Sequence, residues 1–486
     1  MTDVVVVGGG AAGCVVAARV AAAGSASVLL LEAGPDLRAD TPAALRDGWR
    51  LLREYDWGYQ SEPNARGKTE TVTRRKLLGG TSWLTRFALR GAPGDYDAWA
   101  AAVGSGWSFD DVLPYFTRLE ADREFGHESW HGDDGPIPVT RYPDLEFTEA
   151  GEAAVAALRA SGFPEVEDHN RPGAVGVGRM PMNSISGQRV TTVDAYLPRD
   201  QAPPKLETRA GSEVACLVFD GTRVRGVELL DGTTVEAGEV VLCAGAYGSP
   251  AILMRSGVGP ASDLQAVGID VLADLPGVGA NLVDHPATFV DCGYRGPAAP
   301  DSVLHAVATF HSSLTPSSEP PDLMIWTSDP EADGELELGV VLLKPHSRGS
   351  VRLRSAAGDD APRIALPALD DPRDVERLTE GYRIALDAAN RPELRALCDG
   401  PAPSPDGDLT AAALEDAYSI PHAVGTCAMG SRPEAGAVVD ATGRVHGVEG
   451  VRIVDASIMP DVPSGFTHFP TIMIAERLAE EIATEV

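Results

Sequence analysis

The chain opens on a strand, a glycine-rich turn and a helix, and this unit constrains the fold more than any other part of the sequence. The apolar run Thr2–Val7 is followed by Gly8, Gly10 and Gly13. Glycines at these spacings allow a tight turn, close approach of the backbone to a pyrophosphate, and close packing of helix and strand. The free N–H groups at the helix N-terminus favour phosphate binding. The pattern predicts a dinucleotide-binding α/β domain.

An acidic residue completes this unit. A second apolar run, residues 27–31, ends on Glu32. A carboxylate at this place accepts hydrogen bonds from the ribose hydroxyls of a dinucleotide. The alternative interpretation is a glycine turn in an ordinary α/β domain without a nucleotide.

Composition and charge narrow the class of protein. The chain has 486 residues, 44% of them hydrophobic, which suffices for a large core and more than one domain. Its net charge of −31 argues against nucleic acids and anionic membranes as partners. We find no apolar run long enough to span a membrane, and the first strand leaves no room for a signal peptide, so we expect a cytoplasmic protein.

The six cysteines are scattered without a CxxC or zinc-ligand spacing, which predicts neither a disulfide framework nor a metal site.

The remaining chain alternates between two textures. Residues 205–244 predict a β-meander, with hairpin dipeptides at 220–221 and 231–232, that ends in a buried strand. Residues 285–421 contain strand-like runs among loops rich in proline and serine, which indicates a mostly antiparallel second domain. Residues 470–485 form an amphipathic closing helix with proline in its first turn.

Five segments resemble the glucose–methanol–choline (GMC) oxidoreductase family of flavoenzymes. They are LGGTS at 78–82 together with residues 90–91 and 95–99, GAYGSPAILMRSGVG at 245–259, LPGVGANLVDHP at 275–286, HAVGTCAMG at 422–430, and VDASIMPDVPSGFTHFPTIMIAE at 454–476. The segments occur in the order of the family across nearly the whole chain.

The resemblance implies an α/β fold with an α+β second domain. It implies a discontinuous, Rossmann-like FAD-binding domain of residues 1–140, 188–284 and 440–486. A substrate-binding domain with an antiparallel sheet would take residues 141–187 and 285–439.

The resemblance also implies FAD as the cofactor and assigns residues to it. The matching positions are Gly8, Gly10, Ala12, Gly13, Glu32 and Ala33 for the ADP half, Val214 for the adenine, Gly79, Gly80, Ser82 and Thr85 for the loop along the pyrophosphate and flavin, and Asp455, Ala456, Pro470 and Thr471 for the closing segment. Thr85 stands where the family often has asparagine, so it either replaces that flavin contact or the contact is lost. Trp83 and Leu84 stand where some members carry the histidine that attaches FAD covalently, so we expect non-covalent FAD.

Two histidines match the active-site positions of the family. The family oxidises an alcohol carbon by moving its hydride to flavin N5, and a base must take the hydroxyl proton. The resemblance assigns His422 as this base and His468 as its hydrogen-bonding partner, although the two roles could be exchanged. From the residues alone, a structural hydrogen bond is favoured over catalysis for His422, and a helix-capping role is equally reasonable for His468.

Several other side chains are candidates for the pocket. Phe466 and Phe469 flank His468 and are predicted to wall an apolar or aromatic substrate pocket; the alternative is that both pack the seam between the domains. His285 is expected to be structural, whereas His305 and His311 could line the pocket. The remaining histidines are expected at the surface or in loops.

Three functions remain compatible with the sequence. The preferred one is a FAD-dependent alcohol dehydrogenase, slightly favoured over an oxidase that passes its electrons to oxygen. A hydroxynitrile-lyase-like enzyme that binds FAD without net redox is the alternative. An NAD-dependent or non-catalytic protein is the third. The alcohol and the oligomeric state stay open.

Overall fold

The computed structural model describes residues 2–47, 54–141, 148–201, 203–296, 304–328, 335–398 and 408–486, without the side chains of residues 304, 305 and 335. The strands are β1 (Thr2–Val7), β2 (Val28–Leu31), β3 (Tyr59–Gln60), β4 (Thr71–Val72), β5 (Glu120–Asp122), β6 (Ile137–Val139), β7 (Gly176–Arg179), β8 (Ser184–Ile185), β9 (Gln188–Arg189), β10 (Leu206–Arg209), β11 (Val214–Asp220), β12 (Arg223–Leu229), β13 (Thr234–Leu242), β14 (Val258–Gly259), β15 (Ala273–Asp274), β16 (Pro286–Gly293), β17 (Leu304–Phe310), β18 (Leu323–Ser328), β19 (Glu335–Leu342), β20 (Ser350–Arg352), β21 (Arg363–Ala365), β22 (Tyr418–Ser419) and β23 (Val451–Ile453).

The helices lie between these strands. They are α1 (Ala11–Ala22), α2 (Ala43–Arg46), α3 (Pro93–Val103), α4 (Phe109–Leu119), α5 (Glu149–Ala160), α6 (Thr192–Tyr196), α7 (Gly245–Arg255), α8 (Ala261–Ala266), α9 (Pro372–Ala389), α10 (Pro392–Arg395), α11 (Leu409–Glu415) and α12 (His468–Glu485). Short 3₁₀ helices cover Gly80–Trp83, Arg199–Gln201, Pro433–Ala435 and Ala456–Ile458. No helix among the described residues combines the length and the apolar character needed to cross a bilayer.

The first sheet is built on five parallel strands in the order β10, β2, β1, β13, β23. The valines of β1 are fully buried at positions 4 to 6, as is typical of a parallel sheet that is covered on both faces. Because the strands are parallel, their carboxyl ends meet at one edge. Gly8, Glu32, Cys243 and Val454 each follow the end of a strand there.

The predicted meander is present except at its start. β11, β12 and β13 pair antiparallel, with turns at the two predicted hairpin dipeptides. β10, however, lies at the far side of the parallel sheet beside β2. A short strand of mixed polarity gives no local signal for its partner, because pairing is decided by distant backbone.

The second sheet is antiparallel, in the order β22, β16, β19, β18, β17, β7. Its side chains alternate between two faces. Leu323 and Ile325 belong to a core cluster shared with α5 and α9, whereas Met324 and Trp326 belong to another cluster with Phe466. The two sheets confirm the predicted α/β architecture with a separate antiparallel sheet.

The start of the predicted closing helix differs from the structure. The closing helix begins at His468 rather than at Pro470 and packs against α1. Proline is tolerated in the first helical turn because the N–H groups there have no partner within the helix. The paired glycines at 79–80 lead into a short 3₁₀ helix, Gly80–Trp83.

Candidate active site

One cavity of about 1040 Å³ runs from the carboxyl edge of the parallel sheet to the antiparallel sheet. Most of the predicted cofactor residues line it. These are Gly8, Gly10, Ala12, Glu32, Ala33, Gly80, Ser82, Thr85, Val214, Asp455, Ala456 and Thr471. His422, His468 and Phe466 line the same cavity. Gly13, Gly79, Pro470 and Phe469 are absent from its lining.

The glycine turn is closed on one side and open on the other. Gly8 has a positive φ of +99°, and a Cβ on Gly13 would lie 1.8 Å from the carbonyl oxygen of Gly8. Only glycine fits at these two positions. A Cβ on Gly10, in contrast, would meet no protein atom within 4 Å. Gly13 therefore lets α1 pack on β1, while the backbone at Gly10 faces the open cavity.

Glu32 braces this turn from the second strand. Its Oε2 accepts the Gly9 N–H at 2.8 Å, and its Oε1 accepts the Gly34 N–H at 2.8 Å. Burial raises the pKa of the carboxyl above its usual value, and the two N–H donors oppose that rise. Each oxygen keeps acceptor capacity, so Glu32 can hold the turn and still face a ribose in the cavity.

The loop after Leu78 closes over the glycine turn. The Gly79 N–H donates to the Gly9 carbonyl at 2.7 Å, and a Cβ on Gly80 would lie 2.7 Å from Cα of Gly10. The Ser82 hydroxyl donates to the Gly79 carbonyl at 2.6 Å. Gly79 therefore holds the loop in place without lining the cavity itself.

Thr85 is held at the cavity wall by a buried cation. The Arg189 Nε donates to the Thr85 carbonyl at 2.9 Å. Arg86 does not line the cavity; its guanidinium stacks over the Phe87 ring at 5.4 Å.

Asp455 joins the parallel sheet to two helix starts. Its Oδ2 accepts from the Gly245 N–H at 2.8 Å and from the Ser249 hydroxyl at 2.6 Å, while its Oδ1 accepts from the Ser457 N–H at 2.8 Å. Burial raises the pKa of this carboxyl. Asp455 therefore fixes the shape of the cavity floor.

The N-terminus of α12 points into the cavity. Thr467, His468 and Thr471 line it, whereas Pro470 does not. The Thr471 hydroxyl donates to the Thr467 carbonyl at 2.7 Å. Nε2 of His468 is buried and has no hydrogen-bond partner among the described residues. A buried ring nitrogen in this state fits a site completed by a bound group.

His422 is anchored by its backbone. Its N–H lies 2.9 Å from Oδ1 of Asp284 and 2.7 Å from the Ile420 carbonyl. Its ring lies 4.8 Å from the Phe466 ring, centroid to centroid. Burial lowers the pKa of His422 well below its ordinary value, and His285, Arg74 and His468 lower it further. The ring is therefore neutral at physiological pH.

His468 is neutral for the same reason. Burial lowers its pKa to about 3, and the charge of Arg189 adds to the effect. His468 lowers the pKa of His422, so the two rings lie close enough to interact electrostatically. The structure thus gathers the two predicted histidines at one cavity, both as neutral imidazoles.

A third histidine lies beside them. Nδ1 of His285 is 3.0 Å from Nδ1 of His422, with the two rings at 89°. The sequence predicted a structural role for His285 but did not predict this direct contact with His422. The sequence signal was its place beside Asp284, but the contact depends on pairing between β16 and β22, which local patterns do not reveal.

Aromatic side chains wall the histidine end of the cavity. Phe87, Trp326, Tyr418 and Phe466 line it. Phe87 and Phe466 have ring centroids 5.2 Å apart. Phe469 does not line it: the side chain is fully buried in the core of the parallel-sheet half. Phe466 lies in the loop before α12 and Phe469 in its first turn, so the helical repeat does not relate their directions and the two rings meet different surroundings.

Of the two other histidines predicted as candidates for the pocket, His311 lies elsewhere. Nε2 of His311 contacts the Glu319 carbonyl at 2.9 Å, outside the cavity lining. The side chain of His305 lies outside the described residues.

A buried ionic cluster surrounds His131, which was expected at the surface or in a loop. Ligand atoms of Glu120, Asp122 and His131 lie within 4.8 Å of one another. Arg90 pairs with Glu120, and Arg141 pairs with Asp122 at 2.8 Å. Because each carboxylate already has a guanidinium partner, this arrangement is an ionic network.

All six cysteines are free.

Comparison with known proteins places the chain in a family. A family model described as GMC oxidoreductase matches residues 2–287, and a second with the same description matches residues 345–475. A 5-(hydroxymethyl)furfural oxidase of Methylovorus sp. (strain MP688) is 35% identical, with 94% of each chain covered.

Solved structures agree with this match. A pyridoxine 4-oxidase from Mesorbium loti has a TM-score of 0.93 and 32% identity, with 100% of both chains covered. A FAD-dependent oxidoreductase from Chaetomium thermophilum has a TM-score of 0.89 and 26% identity, covering 100% of this chain and 99% of its own. The glycine turn, the paired histidines and these matches agree: the chain belongs to the GMC oxidoreductase family of enzymes.

Proposed function

We propose that this enzyme binds FAD and oxidises an alcohol to an aldehyde or a ketone, with His422 as the general base. The observation that carries the proposal is the meeting of His422 and His468 in the cavity that begins at the glycine turn. A nucleotide cradle and two neutral imidazoles in one continuous space suit a redox cofactor and an alcohol hydroxyl side by side.

The residues present fit FAD. The open backbone at Gly10 and the N-terminus of α1 suit a pyrophosphate, and Glu32 suits a ribose. The α12 N-terminus presents a positive dipole to the histidine end, where it would stabilise negative charge. When bound, FAD supplies the two-electron acceptor, taking the hydride of the alcohol carbon at flavin N5.

His422 would hold and move the proton of the alcohol. Nδ1 of its ring contacts His285, which leaves Nε2 as the nitrogen available to the cavity. A neutral imidazole nitrogen within reach of the hydroxyl accepts its proton as the C–H bond breaks. The electron pair that this proton leaves on the oxygen forms the second bond of the product carbonyl as the carbon loses its hydride.

His468 would orient the same oxygen. Its Nε2 is buried, borders the cavity and has no hydrogen-bond partner within the described part of the chain. A hydroxyl placed between the two rings would satisfy this nitrogen and align the C–H bond. The alternative assignment, with His468 as the base, exchanges these roles and keeps the same geometry.

We further propose that FAD is held without a covalent bond. Trp83 occupies one of the two loop positions where some family members carry the attaching histidine, and its Nε1 donates to the Leu78 carbonyl at 2.8 Å. An indole and the neighbouring Leu84 offer no nucleophilic nitrogen to the flavin. Precipitation with acid should therefore release yellow flavin into the supernatant; flavin that stays with the pellet would contradict this.

The aromatic wall favours an alcohol carried on an apolar or aromatic group. Phe87, Trp326, Tyr418 and Phe466 present rings, which bind apolar and aromatic surfaces. Two relatives named for 5-(hydroxymethyl)furfural and pyridoxine, both ring compounds, are consistent with this choice.

The distribution of strands supports the predicted division into domains. The parallel sheet draws on residues 2–31, 206–242 and 451–453, and the antiparallel sheet on 176–179, 286–342 and 418–419. We propose that these are the cofactor-binding and substrate-binding domains, respectively.

The test is an anaerobic absorbance scan of the FAD-loaded protein with benzyl alcohol, 5-(hydroxymethyl)furfural, pyridoxine, choline and glucose. The proposal predicts loss of the oxidised-flavin band with the ring-bearing alcohols. Admitting air then separates the acceptors, since slow return of the band supports the predicted dehydrogenase and fast return an oxidase. If a mandelonitrile is cleaved while no alcohol bleaches the band, the lyase alternative is correct and the proposal fails.

A further inference from the structure

We infer that His285 is a positioning residue that accepts a hydrogen bond from Nδ1–H of His422 and thereby keeps Nε2 of His422 free of a proton toward the cavity. The inference rests on the proposed function, in which His422 is the base. It adds a residue that the family resemblance assigned no part in the chemistry.

The fold fixes the two rings against each other. His285 immediately precedes β16 and His422 follows β22, and these strands pair antiparallel, with Pro286 opposite Ser419. The Ile420 N–H donates to the His285 carbonyl at 3.0 Å. Oδ1 of Asp284 accepts the backbone N–H groups of both histidines at 2.9 Å. Backbone hydrogen bonds at both residues therefore hold the two Nδ1 atoms in contact.

The contact requires opposite proton states at its two ends. Two nitrogens 3.0 Å apart form a hydrogen bond only if one carries hydrogen and the other does not. Burial lowers the pKa of His285 to about 3 and that of His422 well below its ordinary value, so both rings are neutral. Each neutral ring carries one proton, on Nδ1 or on Nε2. The pair therefore has two arrangements, one with His422 as donor and one with His285 as donor.

The surroundings of His285 favour the first arrangement. The Leu343 and Pro463 carbonyls act on its ring in the direction that raises its pKa, as acceptors do. Nε2 of His285 is buried and has no hydrogen bond of its own among the described residues. Carbonyl oxygens only accept, so they favour hydrogen on the ring of His285 rather than a bare nitrogen. Because Nδ1 is the nitrogen that meets His422, the proton of the neutral ring belongs on Nε2, and Nδ1 is left as the acceptor.

The charged groups around the pair do not reverse this choice. Lys344 and Asp461 act on His285 in opposite senses, Arg74 and His468 act on His422, and Asp284 meets both backbones. The cations lower the histidine pKa values and so keep both rings neutral. Neither Arg74 nor Lys344 can accept a proton from Nδ1 of His422, which leaves His285 in that role.

The consequence concerns which nitrogen meets the alcohol. With hydrogen on Nδ1, His422 presents a bare Nε2 to the cavity and can take the hydroxyl proton. In the opposite arrangement Nε2 would carry hydrogen and could only donate. His285 would thus decide whether His422 is a base, without touching the substrate.

The first experiment reads the proton positions directly. Protein labelled with ¹⁵N at histidine is studied by long-range ¹H–¹⁵N correlation NMR, without and with FAD, and His422→Phe assigns the signals of that ring. The inference predicts hydrogen on Nδ1 and none on Nε2 of His422. Hydrogen on Nε2 with a bare Nδ1 overturns it, whatever the activity of the enzyme.

The second experiment uses paired variants. In His285→Asn, Oδ1 stands at the same number of bonds from Cα as Nδ1 and can accept the hydrogen, whereas His285→Phe removes the acceptor. We expect His285→Phe to lose the fixed tautomer and to slow alcohol-driven flavin reduction at least about tenfold, but by no more than the roughly 10²–10⁴-fold that a general base contributes in total. His285→Asn should keep the tautomer and most of the rate. Equal rates and equal tautomers in both variants overturn the inference.

These results distinguish a failure of the proposed function from a failure of the inference about His285. If wild-type protein shows the expected tautomer but no alcohol bleaches the flavin, the proposed function fails while the inference stands. If His422→Ala abolishes flavin reduction and the wild-type tautomer is the opposite one, the inference fails alone. Should His285→Phe not fold, the wild-type NMR result and the His285→Asn rate still decide the question.

Discussion

Gly339 lies opposite Trp326 in the antiparallel sheet, and a Cβ on Gly339 would lie 2.0 Å from Nε1 of the tryptophan ring. The ring therefore lies across the strand where Gly339 leaves room for it. This places an indole at the wall of the cavity that holds His422. The shape of the substrate pocket thus depends on a residue that does not line it.

Substituting this glycine should change substrate preference. In Gly339→Ala the new methyl group displaces the Trp326 ring, so we expect the ratio of kcat/KM values for a bulky and a small aromatic alcohol to change at least about fivefold, the equivalent of roughly 1 kcal/mol. Flavin content should not change. Gly381→Ala is the matched control, because its Cβ would lie 2.7 Å from Val340 Cγ1, on the opposite face of the sheet. A change of preference in the control, or none in Gly339→Ala, would contradict this account.

Alanine substitutions of Gly13 and Gly10 in the nucleotide turn should have different effects. In Gly13→Ala the Cβ would lie 1.8 Å from the Gly8 carbonyl oxygen, so we expect the free energy of unfolding to fall by about 1–3 kcal/mol or more. Gly10 has an ordinary φ of −79° and open space, so Gly10→Ala should keep its thermal midpoint and lose FAD affinity. Thermal melts and FAD titrations of the two variants check this; equal FAD affinity of wild-type protein and Gly10→Ala would argue against a pyrophosphate there.

Removing the Glu32 carboxylate should empty the cofactor site. Glu32→Ala leaves the buried Gly9 and Gly34 N–H groups without acceptors, at a cost of about 1–3 kcal/mol each. The variant should purify largely colourless. Glu32→Gln, which keeps one carbonyl oxygen, should retain more flavin. The ratio of flavin to protein absorbance measures the effect, and full occupancy in Glu32→Ala would refute the role of this side chain.

The buried histidines should make the protein sensitive to acid. Burial lowers the pKa of His468 from 6.5 to about 3, so its contribution to stability is present above pH 6.5 and is lost as the pH falls toward 3. His285 acts in the same direction. Asp284, whose pKa burial raises to about 7, acts in the opposite one, because its contribution is lost as the pH rises through 7.

Urea unfolding between pH 7 and 4.5 tests this balance. His468→Phe should lose about 1 kcal/mol less per pH unit than wild-type protein, since it no longer takes up that proton on unfolding. Parallel curves for the two proteins would show that His468 is not held neutral by the fold.

Parts of this structure could be predicted from the sequence because they are locally encoded. The strand and glycine turn at Gly8–Gly13 and the hairpin dipeptides at 220–221 and 231–232 specify backbone shape by themselves. The pair His422 and His468 followed from matching family segments. The contact of His285 with His422 and the room that Gly339 gives Trp326 could not be predicted, because both depend on strand register between distant segments.

The aromatic residues of the pocket show the same limit. Every residue of β18 is buried, so its sequence LMIWTS does not tell which face meets the cavity. Likewise Phe466 and Phe469 look equivalent in sequence, yet one lines the cavity and the other is core.

The most direct test of the central claim is the rate at which an alcohol reduces the flavin of His422→Ala under anaerobic stopped-flow conditions, with FAD content matched to wild-type protein. If His422 takes the hydroxyl proton, the rate should fall by roughly 10²–10⁴-fold while FAD stays bound. His446→Ala, which loses a ring contact to the Gly430 carbonyl outside the cavity, is the control and should keep the wild-type rate. A near-wild-type rate in His422→Ala would contradict the assignment of His422 as the base.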